Sequence, residues 1–466
     1  MQPAIVTAVD TEENSASLLL RDGAGARLPF ANGIDEARPY RTENVTGAPP
    51  GSIEEVLATG DLIRVRTDEA GEWHLAQLPA AQAALVSLNP DNGAIISIVG
   101  GMGFELSEFN RATQAERQPG SNFKPFVYAA ALDAGFTAAS IINDAPVVLQ
   151  DTSLEDIWRP QNDSGEFHGP TRLRWALTKS RNLVSIRLLQ QIGVANLMHY
   201  MERLGMDTAG LKPDLSLALG TLSMTPLEVA SAYAILANGG YRVEPYLIQR
   251  VEDLDGRTLF EAHPLTVCRN CDGETAAGER AGGDELSMEQ ILAGAGDTTG
   301  PPPAPRVMEE RLNFILDSIL QDVITRGTGR KALVLERGDI AGKTGTTNGP
   351  MDAWFSGYNR DVVTATWVGF DNYTPLGRKE FGGTAALPIW IDFMREALAD
   401  SPDRERPLPA GIVSVRIDPD TGLLARAGQR DALFEYFREE YVPEHRVQDG
   451  PQQPGNGNRD LIKDIF

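Results

Sequence analysis

Cysteine is nearly missing from this chain. Only Cys268 and Cys271 occur in 466 residues, with five histidines (His74, His168, His199, His263, His445) scattered along the sequence. A structural zinc site normally takes four closely grouped ligands, so a metal enzyme is disfavoured. Basic residues are also short: 42 Lys and Arg against 65 Asp and Glu leave a formal net charge of −23. That excludes a phosphate-binding surface and hence nucleic acid as a partner. It equally disfavours docking on anionic lipid through a polybasic patch. Long apolar runs are absent. The best, such as 230–237, falls far short of the roughly 20 residues that cross a bilayer, and no charged leader precedes an apolar stretch at Met1.

What is present is a length too great for one core, and the pattern changes along it. Residues 1–82 hold short β-rich segments, 4–9, 16–20, 62–66 and 73–78, bounded by Gly, Asp and Asn. Short strands without helical periodicity suggest a small β-barrel or sandwich. From residue 83, apolar runs at 85–88 and 95–99 flank Asn89-Pro90-Asp91-Asn92-Gly93, a hairpin signal. Helical periodicity dominates 123–238. Gly-Gly, Asp-Thr-Thr-Gly and Pro-Pro-Pro clusters mark 255–305 as an irregular insertion. A helix over 309–325 follows, then strands at 340–344, 353–357 and 362–369. The chain closes with a strand pair around 412–424 and a Gln/Asn/Gly-rich tail expected to be disordered.

Three short motifs can carry chemistry. Ser121-Asn122-Phe123-Lys124 follows Pro119-Gly120, and Pro125, which lacks an N–H, pins Ser121 near a helix start. Residues three apart share a helix face, so the Lys124 amine is expected within reach of the Ser121 hydroxyl. A neutral lysine there could take the hydroxyl proton. Ser180-Arg181-Asn182 offers a hydroxyl to relay a proton and an amide to hold a carbonyl. Lys343-Thr344-Gly345-Thr346-Thr347 offers a cation and hydroxyls for a carboxylate. Gly345 would let a substrate backbone approach closely. Taken singly the three are weak, because an exposed helix start, a helix boundary and a strand end explain them equally well. Their order is far less common by chance.

S-x-x-K, S-x-N and K-T-G in this order resemble the signature of penicillin-binding proteins and class A β-lactamases. The similarity extends through 117–126, 158–162, 176–189, 218–221, 225–228, 237–241, 326–329, 341–347 and 352–355. Together these resemble class A penicillin-binding proteins over about 83–400, the insertion excepted.

The resemblance implies an α+β fold: a five-stranded antiparallel sheet with helices and an all-helical subdomain, preceded by an OB-like β domain at 1–82. Residues 401–466 would be a C-terminal extension. It further implies a peptidoglycan D,D-transpeptidase without cofactor. Ser121 would be the nucleophile, Lys124 the base and Ser180 a proton shuttle. Asn182 would bind the donor peptide, and Lys343, Thr344 and Thr346 its terminal carboxylate, with Gly345 and Thr347 also substrate-binding. Backbone N–H groups of Ser121 and Thr346 would form the oxyanion hole. The implied partners are D-Ala-D-Ala stem peptides, an acceptor amine and β-lactams as inhibitors.

Two departures stand out. The second motif is S-R-N, not S-D-N. The family's membrane helix and glycosyltransferase domain have no counterpart, so the chain is expected to be the C-terminal part of a longer protein on the periplasmic face of the inner membrane. Glycan polymerisation is not carried over. In that oxidising compartment Cys268 and Cys271 are expected to form a local disulfide that catalysis does not need. A D,D-carboxypeptidase or β-lactamase, and a penicillin-binding sensor without turnover, remain as alternatives.

Overall fold

The computed structural model describes residues 1–147, 149–150, 157–269 and 301–447. They fall into two compact units. The first comprises residues 1–82 with 348–351 and 369–380. Its five-stranded sheet runs in the order Gly25–Pro29, Ser15–Leu20, Gln2–Asp10, Leu62–Thr67, Trp73–Ala76, and every neighbouring pair is antiparallel. Alternation explains the core: Ala4 and Val6 are buried while Ile5 between them is exposed, and Ala16, Leu18 and Leu20 repeat the pattern.

The second unit holds a five-stranded sheet in the order Ala341–Thr346, Asp352–Tyr358, Val363–Gly369, Gln82–Leu88, Ile95–Val99. The expected hairpin joins the last two strands, which pair antiparallel. Gly93 turns with φ 78, and a Cβ there would strike the Glu244 carbonyl oxygen at 2.1 Å. Asp352–Tyr358 is buried along its whole length, because helices cover both faces of the sheet. Trp354 and Tyr358 join the larger core with the helices Lys124–Asp133, Asn182–Ile192, Pro226–Asn238 and Glu310–Thr325. Phe355 points the other way, against Trp390 and Leu387 of the helix Leu387–Ala397.

The C-terminal strands differ from expectation. Ile412–Ile417 pairs with Leu433–Arg438, not with the residues up to 424. Leu424 makes only a single bridge to Ile417, because the turn closed by the Asp418 carboxylate reverses the chain without continuing a ladder. The hairpin is tied down by a buried ion pair. Glu435 accepts from Arg174 Nε at 2.8 Å and Nη2 at 2.6 Å, and Asp322 accepts from Arg174 Nη1 at 3.0 Å. Within the stretch expected to be irregular, Thr258–Glu261 is a strand paired with Arg250–Glu252. The rest of that insertion from 270 to 300 and the polar tail from 448 lie outside the described residues. Among the described residues no helix is long and apolar enough to cross a membrane.

Candidate active site

The first motif sits on two joined turns. Gly120–Phe123 is a single 3-10 turn that runs straight into the helix Lys124–Asp133, with Pro125 in its first turn. Residues three apart eclipse on a 3-10 turn, so Ser121 and Lys124 face the same side. Gly120 has φ 55, and a Cβ there would meet the Thr346 carbonyl oxygen at 2.6 Å. The turn is held from behind: Tyr233 donates to the Asn122 carbonyl at 2.6 Å, and the Asn122 amide donates to Ser356 Oγ at 3.1 Å. Ser121 keeps 9% of its surface exposed, while Lys124 is fully buried.

The second motif lies between the helices Leu173–Thr178 and Asn182–Ile192. Ser180 has φ 58, a left-handed conformation that is costly for a residue with a Cβ. The bend brings both its carbonyl and its hydroxyl to Lys124. Lys124 Nζ donates to Asn182 Oδ1 at 2.6 Å, to the Ser180 carbonyl at 2.8 Å and to Ser180 Oγ at 3.4 Å. An ammonium has three donors, and these contacts use all three. These contacts tie Lys124 to the second motif. The Asn182 amide nitrogen donates to the Gln161 carbonyl at 2.8 Å and to Asp163 Oδ1 at 3.0 Å.

The third motif occupies the edge strand Ala341–Thr346. Lys343 is fully buried, and its Nζ donates to Ser180 Oγ at 2.9 Å and to the Thr344 carbonyl at 2.9 Å. Ser180 Oγ thus bridges the two lysines. Thr344 Oγ1 shares a hydrogen with Thr328 Oγ1 at 2.7 Å. Thr346 is half-buried, and its Oγ1 accepts the Gly382 N–H at 3.1 Å. Thr347 Oγ1 accepts from the Asp352 N–H at 3.0 Å and closes the hairpin. Gly345 is likewise explained by packing. A Cβ there would meet the Pro119 carbonyl oxygen at 2.4 Å and the Asn122 Cβ at 2.7 Å. What approaches Gly345 in this structure is the turn that carries Ser121.

Burial governs the charges. It pushes the Lys124 amine from its ordinary 10.5 down to about 7; Asp163 and Asp144 oppose the drop and Arg181 adds to it. Lys343 is held well below its ordinary value by burial and then by the Lys124 charge. Two buried amines against one hydroxyl cannot both stay charged at low cost, so the pair titrates as a unit.

Sequence reasoning passed over the residues that hold the second motif. Asn162 Oδ1 accepts the Asn182 N–H at 2.8 Å, and the Asn162 amide donates to Asp144 Oδ1 at 2.8 Å. Residues 158–162 were among the segments of family resemblance, the one signal that could have found them. Cys268 is disulfide-bonded; Cys271 lies outside the described residues. Among the described residues, Asp68, Glu72 and His74 are the one group with metal-ligand spacing, an exposed turn where Asp68 already bonds His74 at 3.0 Å. A cavity of about 950 Å³ lined by Glu116, Met206, Leu211, Met224 and Leu227 includes none of the three motifs.

Comparison with known proteins follows this geometry. The penicillin-binding protein transpeptidase domain matches residues 83–394, and the penicillin-binding protein OB-like domain matches residues 1–81. Penicillin-binding protein 1A of Pseudomonas aeruginosa is 49% identical over 457 residues, covering 95% of this chain and 55% of that protein. The chain thus spans about half the length of the curated relatives it matches. The crystal structure of penicillin-binding protein 1A from Haemophilus influenzae is similar with a TM-score of 0.82 and 36% identity, over 96% of this chain and 64% of that one. PonA1 from Mycobacterium tuberculosis, in complex with penicillin V, is similar with a TM-score of 0.55 and 25% identity, over 71% of this chain and 82% of that one. With its fold, its ordered motifs and its match over 83–394 in agreement, the chain belongs to the penicillin-binding protein transpeptidase family.

Proposed function

We propose that this chain is a serine D,D-transpeptidase that joins peptidoglycan stem peptides on the periplasmic side of the inner membrane. The observation that carries this reading is the bridge Lys124–Ser180–Lys343, built on the turn that also carries Ser121: two lysines 219 positions apart in sequence meet at one hydroxyl.

The steps follow from the chemistry of these groups. With Lys124 near 7, a large fraction of the amine is neutral at neutral pH and can accept the Ser121 Oγ proton. Attack on the penultimate D-Ala carbonyl would give a tetrahedral oxyanion, held by the backbone N–H groups of Ser121 and Thr346. The close approach of Gly120 to Thr346 supports that pairing. Ser180 Oγ would carry a proton to the leaving D-Ala nitrogen, recharged across the two lysines. The acyl-serine then passes to an acceptor amine. Asn182 serves by anchoring Lys124, and Thr344 and Thr346 hydroxyls offer the direct contacts for the donor carboxylate, with Lys343 acting behind them as a buried charge. A β-lactam presents the same carbonyl and carboxylate, and the complex of the similar PonA1 with penicillin V supports acylation by such drugs here.

The test uses the chain itself. A fluorescent penicillin is expected to label it at Ser121, and Ser121→Ala to abolish the label. D-Ala release from a stem peptide with an amine acceptor present is expected to yield a new amide. Undiminished labelling of Ser121→Ala would refute the nucleophile, and release of D-Ala with no amide product would favour the carboxypeptidase alternative.

A further inference from the structure

We propose that Asn162 is a positioning residue for the reaction: clamped by Asp144, it fixes the start of the Asn182 helix and through it the Lys124 amine. This rests on the functional reading above. The turn from Gln161 to Ser164 meets the second motif at every residue. The Gln161 carbonyl and Asp163 Oδ1 accept the two Asn182 amide hydrogens. Ser164 Oγ accepts from Arg181 Nη1 at 3.3 Å. Asn162 Oδ1 accepts the backbone N–H groups of Asn182 at 2.8 Å and Leu183 at 3.4 Å.

Those two contacts make Asn162 the cap of a helix whose own N-cap residue, Arg181, supplies no side-chain acceptor. The cap comes from 20 residues upstream, so it ties two segments together. The other end of the Asn162 side chain is equally engaged. Its amide donates to Asp144 Oδ1 at 2.8 Å and to the Glu166 carbonyl at 2.9 Å. Asp144 is fully buried, and Asn162 is 5% exposed. A buried carboxylate with a fixed partner cannot drift, because losing that bond would strand a charge. The chain of contacts is therefore rigid from Asp144 through Asn162 to Asn182, and Asn182 Oδ1 holds Lys124 Nζ at 2.6 Å. The charged groups facing Lys124 are Asp163, Arg181 and Asp144, with Lys343 across the Ser180 bridge, and three of these four touch or border the same turn.

The test is a donor–acceptor swap, read as the acylation rate constant and the pre-acylation dissociation constant for a fluorescent penicillin. Asn162→Ala removes cap and anchor. Asn162→Asp keeps a capping oxygen but faces Asp144 with a like charge. Each is expected to slow acylation about 10- to 100-fold while the dissociation constant stays within threefold. The double variant Asn162→Asp with Asp144→Asn restores a donor to the pair from the opposite side, and is expected to recover most of the rate. Cooperative thermal melting is followed for all three. Wild-type rates in the single variants, or a double variant no faster than the slower single, would overturn the proposal. So would loss of cooperative melting in every variant, which would make Asn162 a support of the fold alone. Failure of the wild-type chain to label at Ser121 would count against the functional reading, not against Asn162.

Discussion

Acylation of Ser121 is expected to titrate with the Lys124 amine, and the direction of two further shifts can be worked from its surroundings. The fall from 10.5 to about 7 corresponds to roughly 5 kcal/mol against the charged amine. The base must be neutral, so the rate rises with pH. Below this midpoint the amine is mostly charged, so the second-order rate constant for a β-lactam is expected to climb by up to about tenfold per pH unit and then to level. Asp163 supports the charged form, so Asp163→Asn, which keeps an acceptor for the Asn182 amide, moves the midpoint to lower pH. Arg181 opposes the charged form, so Arg181→Gln moves it to higher pH. At pH 6, relative to each variant's own plateau, the first gains rate and the second loses it. Stopped-flow or gel-based labelling from pH 5 to 8.5 reads all three. A flat profile, or two midpoints moving in the same direction, would refute the assignment of Lys124 as the titrating base.

A ligand whose carboxylate is converted to an amide is expected to acylate more slowly, since each charge-assisted bond from Thr344 or Thr346 contributes about 1.5–3 kcal/mol; equal acylation by the amide would remove the third motif from ligand binding. Glu435→Ala leaves Arg174 buried with Asp322 as its remaining acidic partner, and unfolding in urea is expected to show a loss of about 3–5 kcal/mol. A loss below about 1 kcal/mol would mean that the C-terminal hairpin is not held by this pair.

Much of the fold could be read from alternation. Ala4, Val6, Ala16 and Leu18 reveal their faces by period two, and the apolar segment 353–357 marks a strand covered on both sides. The strand Leu433–Arg438 escaped because its alternation is hidden: Glu435 is buried and Phe434 exposed, an inversion that Arg174 and Arg172 explain. The three motifs that the fold brings together were legible from order and spacing. Their partners were not. Asn162 and Asp144 lie 20 and 38 residues from Asn182, with no periodicity to join them. Gly345 shows the same limit. A sequence can say that a side chain is not tolerated at a position, but whether the visitor is a ligand or a neighbouring turn depends on a contact made across more than 200 residues.

The left-handed backbone of Ser180 has an evolutionary consequence. At φ 58 glycine, asparagine and aspartate are at ease, but none of them carries a hydroxyl. Threonine, the nearest replacement that does, is β-branched and poorly tolerated there. The bridge between the two lysines therefore has almost no neutral neighbours in mutational space. Variation open to a lineage lies in the ring of residues around this hydroxyl, such as Arg181 and Asp163, which can change the charge on the Lys124 amine while the serine itself stays put.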